Sequence, residues 1–226
     1  MATAENPARP VSIRMLRPSE ALNGLIDAYY IVETFGPMQD HYLAGPGNIR
    51  FAPRGEWILT VDGYSGPAAE RAALFGPTDR SGMFGPTGPG VLLGAGLTPM
   101  GWAHLFDISA EALSNKVCEL ADVIGREESD AIAGVIDAAS NDEAIATGLD
   151  AWLIARIGSR PAPDPRIALV HSALLAVPDD IAEFAAAVNV SERTLRRLCL
   201  RAFGFAPKAL LRQKRFQRTL EQGVPS

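Results

Sequence analysis

The sequence has few of the residues on which metal binding, covalent catalysis and cross-linking depend. Its 226 residues include only two cysteines, Cys118 and Cys199, and three histidines. Two cysteines are too few for a disulfide framework and fit a reducing compartment. His41, His104 and His171 have no His or Cys partner at metal-ligand spacing, and the sequence contains no phosphate-binding loop. We therefore expect no metal site, no cofactor, no catalytic residue and no enzymatic activity.

Long apolar runs are also absent. No stretch approaches the roughly 18–20 apolar residues of a membrane span. Residues 1–10 are polar and lack the apolar core of a signal peptide. Hydrophobic residues make up 47% of the chain and charged residues 21%, which is ordinary for a soluble globular protein. These features predict a cytoplasmic protein with no membrane partner.

The net charge of −5 conceals a strongly basic segment near the C-terminus. Residues 191–220 contain nine Lys or Arg and one acid, Glu192. This window therefore carries +8, and the remaining residues together carry −13. A basic segment on an acidic body indicates a local anionic partner, for which nucleic acid is the leading candidate.

Glycine and proline are concentrated in residues 1–108, which hold 15 of the 21 glycines and 11 of the 17 prolines. Short apolar runs lie between them, including Trp57–Val61 and Trp102–Phe106. Short apolar runs separated by glycine and proline are typical of a β-rich domain with frequent turns. This pattern places His104 on a strand.

Helical periodicity begins at Ser109, a good N-cap, and continues to Gly125 through Leu113, Val117, Leu120 and Ile124. Further helices are predicted over residues 127–138 and 142–157. We expect residues 109–158 to form a helical segment that packs on the β-rich domain or provides a dimer surface. Three prolines in residues 159–165 predict a stiff linker and a domain boundary.

Residues 166–226 are predicted to form a second, all-α domain. A short helix begins near Asp180, where Glu183 stands at capping-box spacing. Asn189, which tolerates the left-handed conformation, follows that helix, and Ser191 caps the next one. This is the layout of a helix-turn-helix.

The second helix of this unit has two chemically different faces. Its buried stripe is predicted to contain Leu195, Leu198, Cys199 and Ala202. The opposite face carries Arg193, Arg196, Arg197 and Arg201. Arginine presents a rigid fork of donors that can hold guanine or phosphate through two hydrogen bonds. A basic face that is merely solvated is the alternative, and the preceding turn signature favours DNA binding.

Residues 180–220 resemble the first helix-turn-helix of AraC-type transcriptional regulators and the long connecting helix that follows it. The resemblance rests on the pattern A..V.VS.RTLRR....FG..PK..LR..R, although Cys199 stands where a large aromatic residue is usual. It implies base-reading positions at Arg193, Arg196 and Arg197. It further places Ser191 and Arg201 near phosphate, includes Thr194 in the DNA-binding set, and assigns Lys208 and Arg212 to phosphate contact or support of the fold.

Residues 94–125 are similar to the end of the cupin-like sensor domain of some AraC-type regulators. This similarity implies an N-terminal β-barrel with an apolar ligand pocket, for which the candidate wall residues are Tyr30, Phe51, Trp57, Trp102 and His104. Family members carry a second helix-turn-helix after the connecting helix, whereas this sequence stops at Ser226. The second unit is therefore expected to be missing, and DNA binding by the first alone is expected to be weak.

The predicted fold is α+β: a cupin-like β-barrel over residues 1–108, helices over 109–158, and a partial helix-turn-helix domain over 166–226. The predicted function is sequence-specific binding of double-stranded DNA by a transcriptional regulator that a small-molecule effector gates, with a homodimer as the expected assembly to test. One alternative is a small-molecule-binding or dimerisation protein whose DNA-binding domain is inactive. An enzyme on a cupin-like barrel comes third, because the His-rich strand pattern is absent.

Overall fold

The computed structural model describes residues 11–42, 44–61, 64–67 and 71–223. Within these residues ten strands form two antiparallel sheets, ordered β1-β2-β9-β4-β7-β10 and β3-β8-β5-β6. The strands are β1 (Val11–Leu16), β2 (Ile26–Thr34), β3 (Asp40–Tyr42), β4 (Asn48–Arg54), β5 (Trp57–Val61), β6 (Tyr64–Pro67), β7 (Ala72–Phe75), β8 (Gly82–Pro86), β9 (Gly90–Leu97) and β10 (Val117–Glu119).

The two sheets pack face to face, and helices cover the outer face of the six-stranded sheet. Alternate residues of its strands therefore enter two different cores. The inter-sheet core contains Trp57, Leu59, Ala73, Phe75 and Leu92. The sheet–helix core on the other face includes Ile49, Phe51, Leu93, Trp102 and Leu149.

The described strands do not close into the predicted barrel. β1 and β10 are the edges of the six-stranded sheet, and β3 and β6 are the edges of the four-stranded sheet. Two packed sheets bury alternate residues just as a barrel does, so the sequence pattern predicts either architecture. The α+β class is confirmed, because the strands are followed by a long helical region.

Residues 99–105 form helix α1 (Pro99–Leu105), so the predicted strand over Trp102–Phe106 is wrong. Thr98 caps this helix by accepting a hydrogen bond at Oγ1 from the Gly101 amide (3.0 Å). A capping threonine followed by proline is a strong helix start, and it outweighs the strand propensity of the aromatic residues that follow. His104 consequently lies in the last turn of a helix.

The predicted long helix from Ser109 to Gly125 is also wrong. The chain instead forms a 3-10 helix over Ala110–Leu113, then β10, then the short helix α2 (Ala121–Ile124). Asn115 has a left-handed φ of 59°, which stops the helix. Its side-chain oxygen accepts hydrogen bonds from Thr78 Oγ1 (2.8 Å) and the Asp79 amide (3.1 Å), and β10 then pairs with β7.

The helices predicted over 127–138 and 142–157 are confirmed as α3 (Arg126–Ala138) and α4 (Asp142–Gly158), which cover the six-stranded sheet. Four more helices follow: α5 (Arg166–Leu175), α6 (Ile181–Ala187), α7 (Glu192–Phe203) and α8 (Pro207–Gly223). They enclose a C-terminal core that includes Ile167, Val170, Phe184, Leu195, Leu198, Cys199 and Leu211.

Helix α1 joins the two parts of the molecule. Trp102 and Leu105 belong to the sheet–helix core, while Met100 and Ala103 pack against the C-terminal core. In the proline-rich segment 159–165, Arg160 donates to the carbonyl of His104 (2.9 Å) and pairs with Asp107 (2.6 Å). These contacts fix the chain between α4 and α5 against the end of α1.

Two helical glycines test this packing through effects of opposite sign. A Cβ on Gly101 in α1 would overlap the carbonyl oxygen of Leu25, whereas a Cβ on Gly134 in α3 would meet nothing within 4 Å. We expect Gly101→Ala to lower the free energy of unfolding by about 1–3 kcal/mol through overpacking. We expect Gly134→Ala to raise it by about 0.5–1 kcal/mol, because alanine favours the helix. Urea unfolding of both variants measures these changes, and equal effects would contradict the close approach at Gly101.

Candidate nucleic-acid interface and ligand cavities

The start and end of α7 are fixed by its own sequence. Ser191 caps the helix by accepting a hydrogen bond at Oγ from the Thr194 amide (3.2 Å), and its hydroxyl donates to Thr194 Oγ1 (3.0 Å). Asn189 in the turn before it has φ 55°, and Gly204 ends the helix with φ 82°. The predicted turn, cap and second helix are therefore confirmed as structural elements.

The basic side of α7 is exposed along its whole length. Arg193, Arg196, Arg197 and Arg201 are all solvent-exposed, and we call them the arginine face. None of the four forms an ion pair with a residue that the structure describes. The opposite side of the helix is buried in the C-terminal core, as predicted, through Leu195, Leu198, Cys199 and Ala202. The helix thus presents four guanidinium groups to solvent, none of them in an ion pair with a described residue.

Helix α8 adds two more exposed cations near its start, Lys208 and Arg212, which lie one turn apart. Arg215, further along the same helix, has a structural contact instead. Its Nη2 donates to the carbonyls of Pro178 and Asp179, both at 2.7 Å, and so ties α8 to the turn before α6. Arg218 is exposed.

The N-terminal part of the molecule contacts α7 through the 3-10 helix and its flanking serines. Ser109 Oγ donates to the carbonyl of Leu200 (3.3 Å), and Ser114 Oγ donates to the carbonyl of Gly204 (2.7 Å). The exposed Glu111 and the half-buried Ser109 line a shallow cavity of about 440 Å³ together with the arginine face. A carboxylate of the N-terminal part therefore lies beside the arginines.

The five residues predicted to line one ligand pocket are not brought together by the structure. Phe51 and Trp102 lie in the sheet–helix core, while Trp57 lies in the inter-sheet core with Tyr30 packed against it. His104 is half-buried at the end of α1. Residues on one face of a strand alternate with those on the other, which separates Phe51 from Tyr30 and Trp57.

A polar network that the sequence does not predict lies between the two sheets. Arg50 Nε donates to the hydroxyl of Tyr30 (3.0 Å), which donates in turn to Asn48 Oδ1 (3.0 Å). The Arg50 guanidinium lies over the rings of Phe75 (4.1 Å) and Phe84 (4.7 Å). Polar residues that alternate with Ile49 and Phe51 are typical of a solvent-facing strand side. This face of β4 is buried only because the four-stranded sheet packs against it, and no local sequence signal predicts that packing.

The cavity nearest this network has a volume of about 210 Å³ and is lined by Tyr42, Asn48, Arg50, Phe75, Thr78, Asn115, Lys116 and Val117 among others. A second cavity, of about 260 Å³, lies where the sheets meet the C-terminal helices. Its lining includes Asp27, Trp102, His171, Phe203 and Lys214. Burial, and then the nearby Lys214, lower the pKa of His171.

The two thiols are protonated at neutral pH. Burial raises the pKa of Cys118 to about 11 and that of Cys199 to about 12. Among the described residues, no three His, Cys, Asp or Glu side chains are grouped so as to hold a metal ion. No helix in the described ranges is both long and apolar enough to cross a membrane.

No protein-family model matches this chain, and no curated protein matches it significantly. Among solved structures, the AraC-like transcriptional activator CuxR is 14% identical over 95% of this chain and 88% of its own, with a TM-score of 0.35. A cupin superfamily protein from Desulfitobacterium hafniense is 14% identical over 42% of this chain and 83% of its own, with a TM-score of 0.34. The cupin domain of an XRE family transcriptional regulator from Enterobacter cloacae is 14% identical over 38% of this chain and 95% of its own, with a TM-score of 0.32. At these TM-scores the likenesses establish neither the fold nor the function of this chain.

The cap of α7 predicts a measurable contribution to stability. We expect Ser191→Ala to lower the free energy of unfolding by about 1 kcal/mol, because the Thr194 amide loses its acceptor. Ser191→Asp should retain most of the stability, because aspartate also caps and its charge suits a helix N-terminus. The matched control is Ser172→Ala, an exposed serine within α5, which should change stability by less than about 0.5 kcal/mol. Chemical denaturation measures all three, and a Ser191→Ala variant as stable as the control would exclude the cap.

Proposed function

We propose that this chain is a transcriptional regulator that binds a specific DNA sequence through α7 and is controlled by a small ligand. The observation that carries the proposal is the arginine face: four exposed guanidinium groups without ion-pair partners in the described residues, on a capped helix that follows a tight turn. Like charges held this close repel one another, and a polyanion would relieve that repulsion.

The order of residues along α7 suits a recognition helix. In helix-turn-helix proteins the N-terminal residues of the second helix contact base edges in the major groove. Arg193, Arg196 and Arg197 occupy the first two turns of α7, and each can hold guanine O6 and N7 through two hydrogen bonds. Ser191, Thr194 and Arg201 are then assigned to the flanking phosphates, with Lys208 and Arg212 of α8 extending the basic surface.

The contact between the 3-10 helix and α7 provides a route for control. Because Ser109 and Ser114 bind carbonyls at the C-terminal end of α7, a ligand that shifts the N-terminal part also shifts this helix. Glu111 lies beside the arginine face and would repel phosphate in this arrangement. We further propose that two chains form a homodimer, which would hold two such helices on one DNA site and raise the affinity above that of one.

The second candidate function is that of a ligand-binding or dimerisation protein that does not bind DNA. The observation in its favour is the same Glu111 carboxylate beside the arginine face. The two functions differ in one outcome. Selection of duplexes from a random double-stranded pool on the full chain, followed by sequencing, enriches a common motif only if the chain reads DNA.

Substitutions on two basic surfaces distinguish base reading from general attraction. We expect Arg196→Ala or Arg197→Ala to weaken binding of the selected duplex by about 1–3 kcal/mol and to relax the preference at one base position. Lys208→Ala should weaken binding equally on all sequences and lower the salt dependence by about one released counterion. Fluorescence anisotropy on matched and mismatched duplexes at two salt concentrations measures both effects.

The matched control is Arg218→Ala on the exposed surface of α8, far along the helix from Lys208, which should change affinity little. Equal losses on matched and mismatched duplexes for Arg196→Ala would contradict base reading by that residue. Failure of the full chain to enrich any motif would contradict the proposed function as a whole.

A further inference from the structure

Arg50 is a charged residue in the space between the two sheets, beside the apolar residues of the inter-sheet core. Its neighbours on β4, Ile49 and Phe51, are fully buried on the other face of the same strand. Arg50 itself is partly buried, and in the described part of the chain no carboxylate forms an ion pair with it. Arg54, on the same strand, does have such a partner, Glu33 at 2.9 Å.

Only some of the hydrogen-bonding groups of the Arg50 side chain have partners. Its Nε donates to Tyr30, and its guanidinium lies over two phenylalanine rings. Cation–π contacts offset some of the cost of removing the charge from water. Its Nη1, however, is buried without any hydrogen-bond acceptor, and it is the one side-chain nitrogen or oxygen of the described residues in that condition. A partly buried charge that lacks a counter-ion is costly, and an anion beside the guanidinium supplies that counter-ion.

The cavity that Arg50 lines suits such an anion in charge and size. Its lining includes a second cation, the exposed Lys116, and no carboxylate of the described residues. Phe75 and Val117 supply an apolar surface. The polar lining groups of Asn48, Thr78 and Asn115 are already hydrogen-bonded within the protein, so Arg50 and Lys116 are the groups left to attract an anion. A cavity of about 150 Å³ can hold benzene, so the volume of about 210 Å³ accommodates a single ring with a carboxylate.

We propose that this cavity binds a small organic carboxylate, whose charge pairs with the Arg50 guanidinium and whose apolar body contacts Phe75 and Val117. The proposal names the class of ligand for the regulator proposed above. Its regulatory meaning rests on that proposed function, whereas the anion site itself is measured without DNA.

The walls of the cavity are bonded directly to the C-terminal helices. The carbonyl of Thr78 accepts a hydrogen bond from Gln213 Nε2 of α8 (3.2 Å). Asn115 precedes Lys116 and follows Ser114, whose hydroxyl donates to Gly204 at the end of α7 (2.7 Å). A ligand that moves Thr78 and Asn115 therefore acts on α8 through the Gln213 hydrogen bond and on the end of α7 through the peptide link from Asn115 to Ser114.

Titration calorimetry of the full chain tests the site with benzoate, acetate and inorganic phosphate at millimolar concentrations, and with benzamide as the uncharged counterpart of benzoate. We expect benzoate or acetate to bind and benzamide to bind at least about tenfold more weakly, because a hydrogen bond to a charged group is lost. Arg50→Gln should weaken binding of the carboxylate by a similar factor. Arg54→Gln is the matched control and should leave the affinity unchanged.

Several results would overturn the proposal. These are no binding by either carboxylate, benzamide binding as tightly as benzoate, or equal losses in Arg50→Gln and Arg54→Gln. Binding of phosphate alone would assign an inorganic anion and exclude the organic carboxylate. Circular dichroism shows whether Arg50→Gln folds. If it does not, Arg50→Lys replaces it, because lysine keeps the charge but not the planar fork. The comparison of benzoate with benzamide on the unaltered chain then tests whether the site requires a negative charge on the ligand.

A DNA measurement separates this proposal from the function proposed above. Saturation with the bound carboxylate should change the affinity for the selected duplex, and Arg50→Gln should abolish that change. If a carboxylate binds through Arg50 but no duplex is enriched, the anion site stands and the DNA-binding function fails. If a duplex is enriched but no carboxylate binds, the DNA-binding function stands and the anion site fails.

Discussion

Helix α1 is packed on nearly every side, and the arrangement of the two halves of the molecule depends on that packing. Trp102 fills the sheet–helix core, and its indole Nε1 donates to the carbonyl of Ile108 (3.0 Å). Met100, two positions before Trp102, and Ala103, directly after it, pack against the C-terminal core. One helix of seven residues thus contributes side chains to two hydrophobic cores, Trp102 and Leu105 to one and Met100 and Ala103 to the other. Since interiors are close-packed, a displacement of α1 in one core must be accommodated in the other.

The same packing explains why the C-terminal helices lie beside the 3-10 helix. Once α1 has fixed α5 and α7, the chain that leaves α1 runs along α7, where Ser109 and Ser114 find free carbonyls at its end. The C-terminal carbonyls of a helix lack partners within the helix, so a side chain from a neighbouring segment can satisfy them. The N-terminal part of the protein thereby completes the C-terminal end of α7.

Local signals predict the C-terminal half well and the segment around α1 poorly. Asp180, Ser191 and Gly204 act as caps through contacts with residues close in sequence, so each helix there begins and ends where its own residues dictate. The segment after Ser109 has helical periodicity, yet Asn115 stops the helix because Thr78 and Asp79, 37 and 36 residues away, bond to its side chain. Long-range pairing with β7 then decides that Val117–Glu119 is a strand. Such a contact leaves no trace in a window of neighbouring residues.

The two candidate sites differ in the same way: one is determined by local sequence and the other by long-range packing. The arginine face follows from the 3.6-residue period of one helix, so its four members could be named from the sequence. The Arg50 network depends on which face of β4 meets the second sheet. Alternation assigns Asn48 and Arg50 to one side of the strand but does not say whether that side faces water.

The positions of the two thiols have a practical consequence. Cys118 is half-buried on β10, in the N-terminal part, and Cys199 is fully buried in the C-terminal core. Neither reacts readily while its surroundings are closed, because only the thiolate is nucleophilic and both are held in the protonated form. Because Cys199 is fully buried, the rate at which it is alkylated reports how often the C-terminal core opens. Cys118 keeps partial exposure in the closed structure, so its alkylation rate is the reference against which opening of the C-terminal core is measured in the unmodified chain.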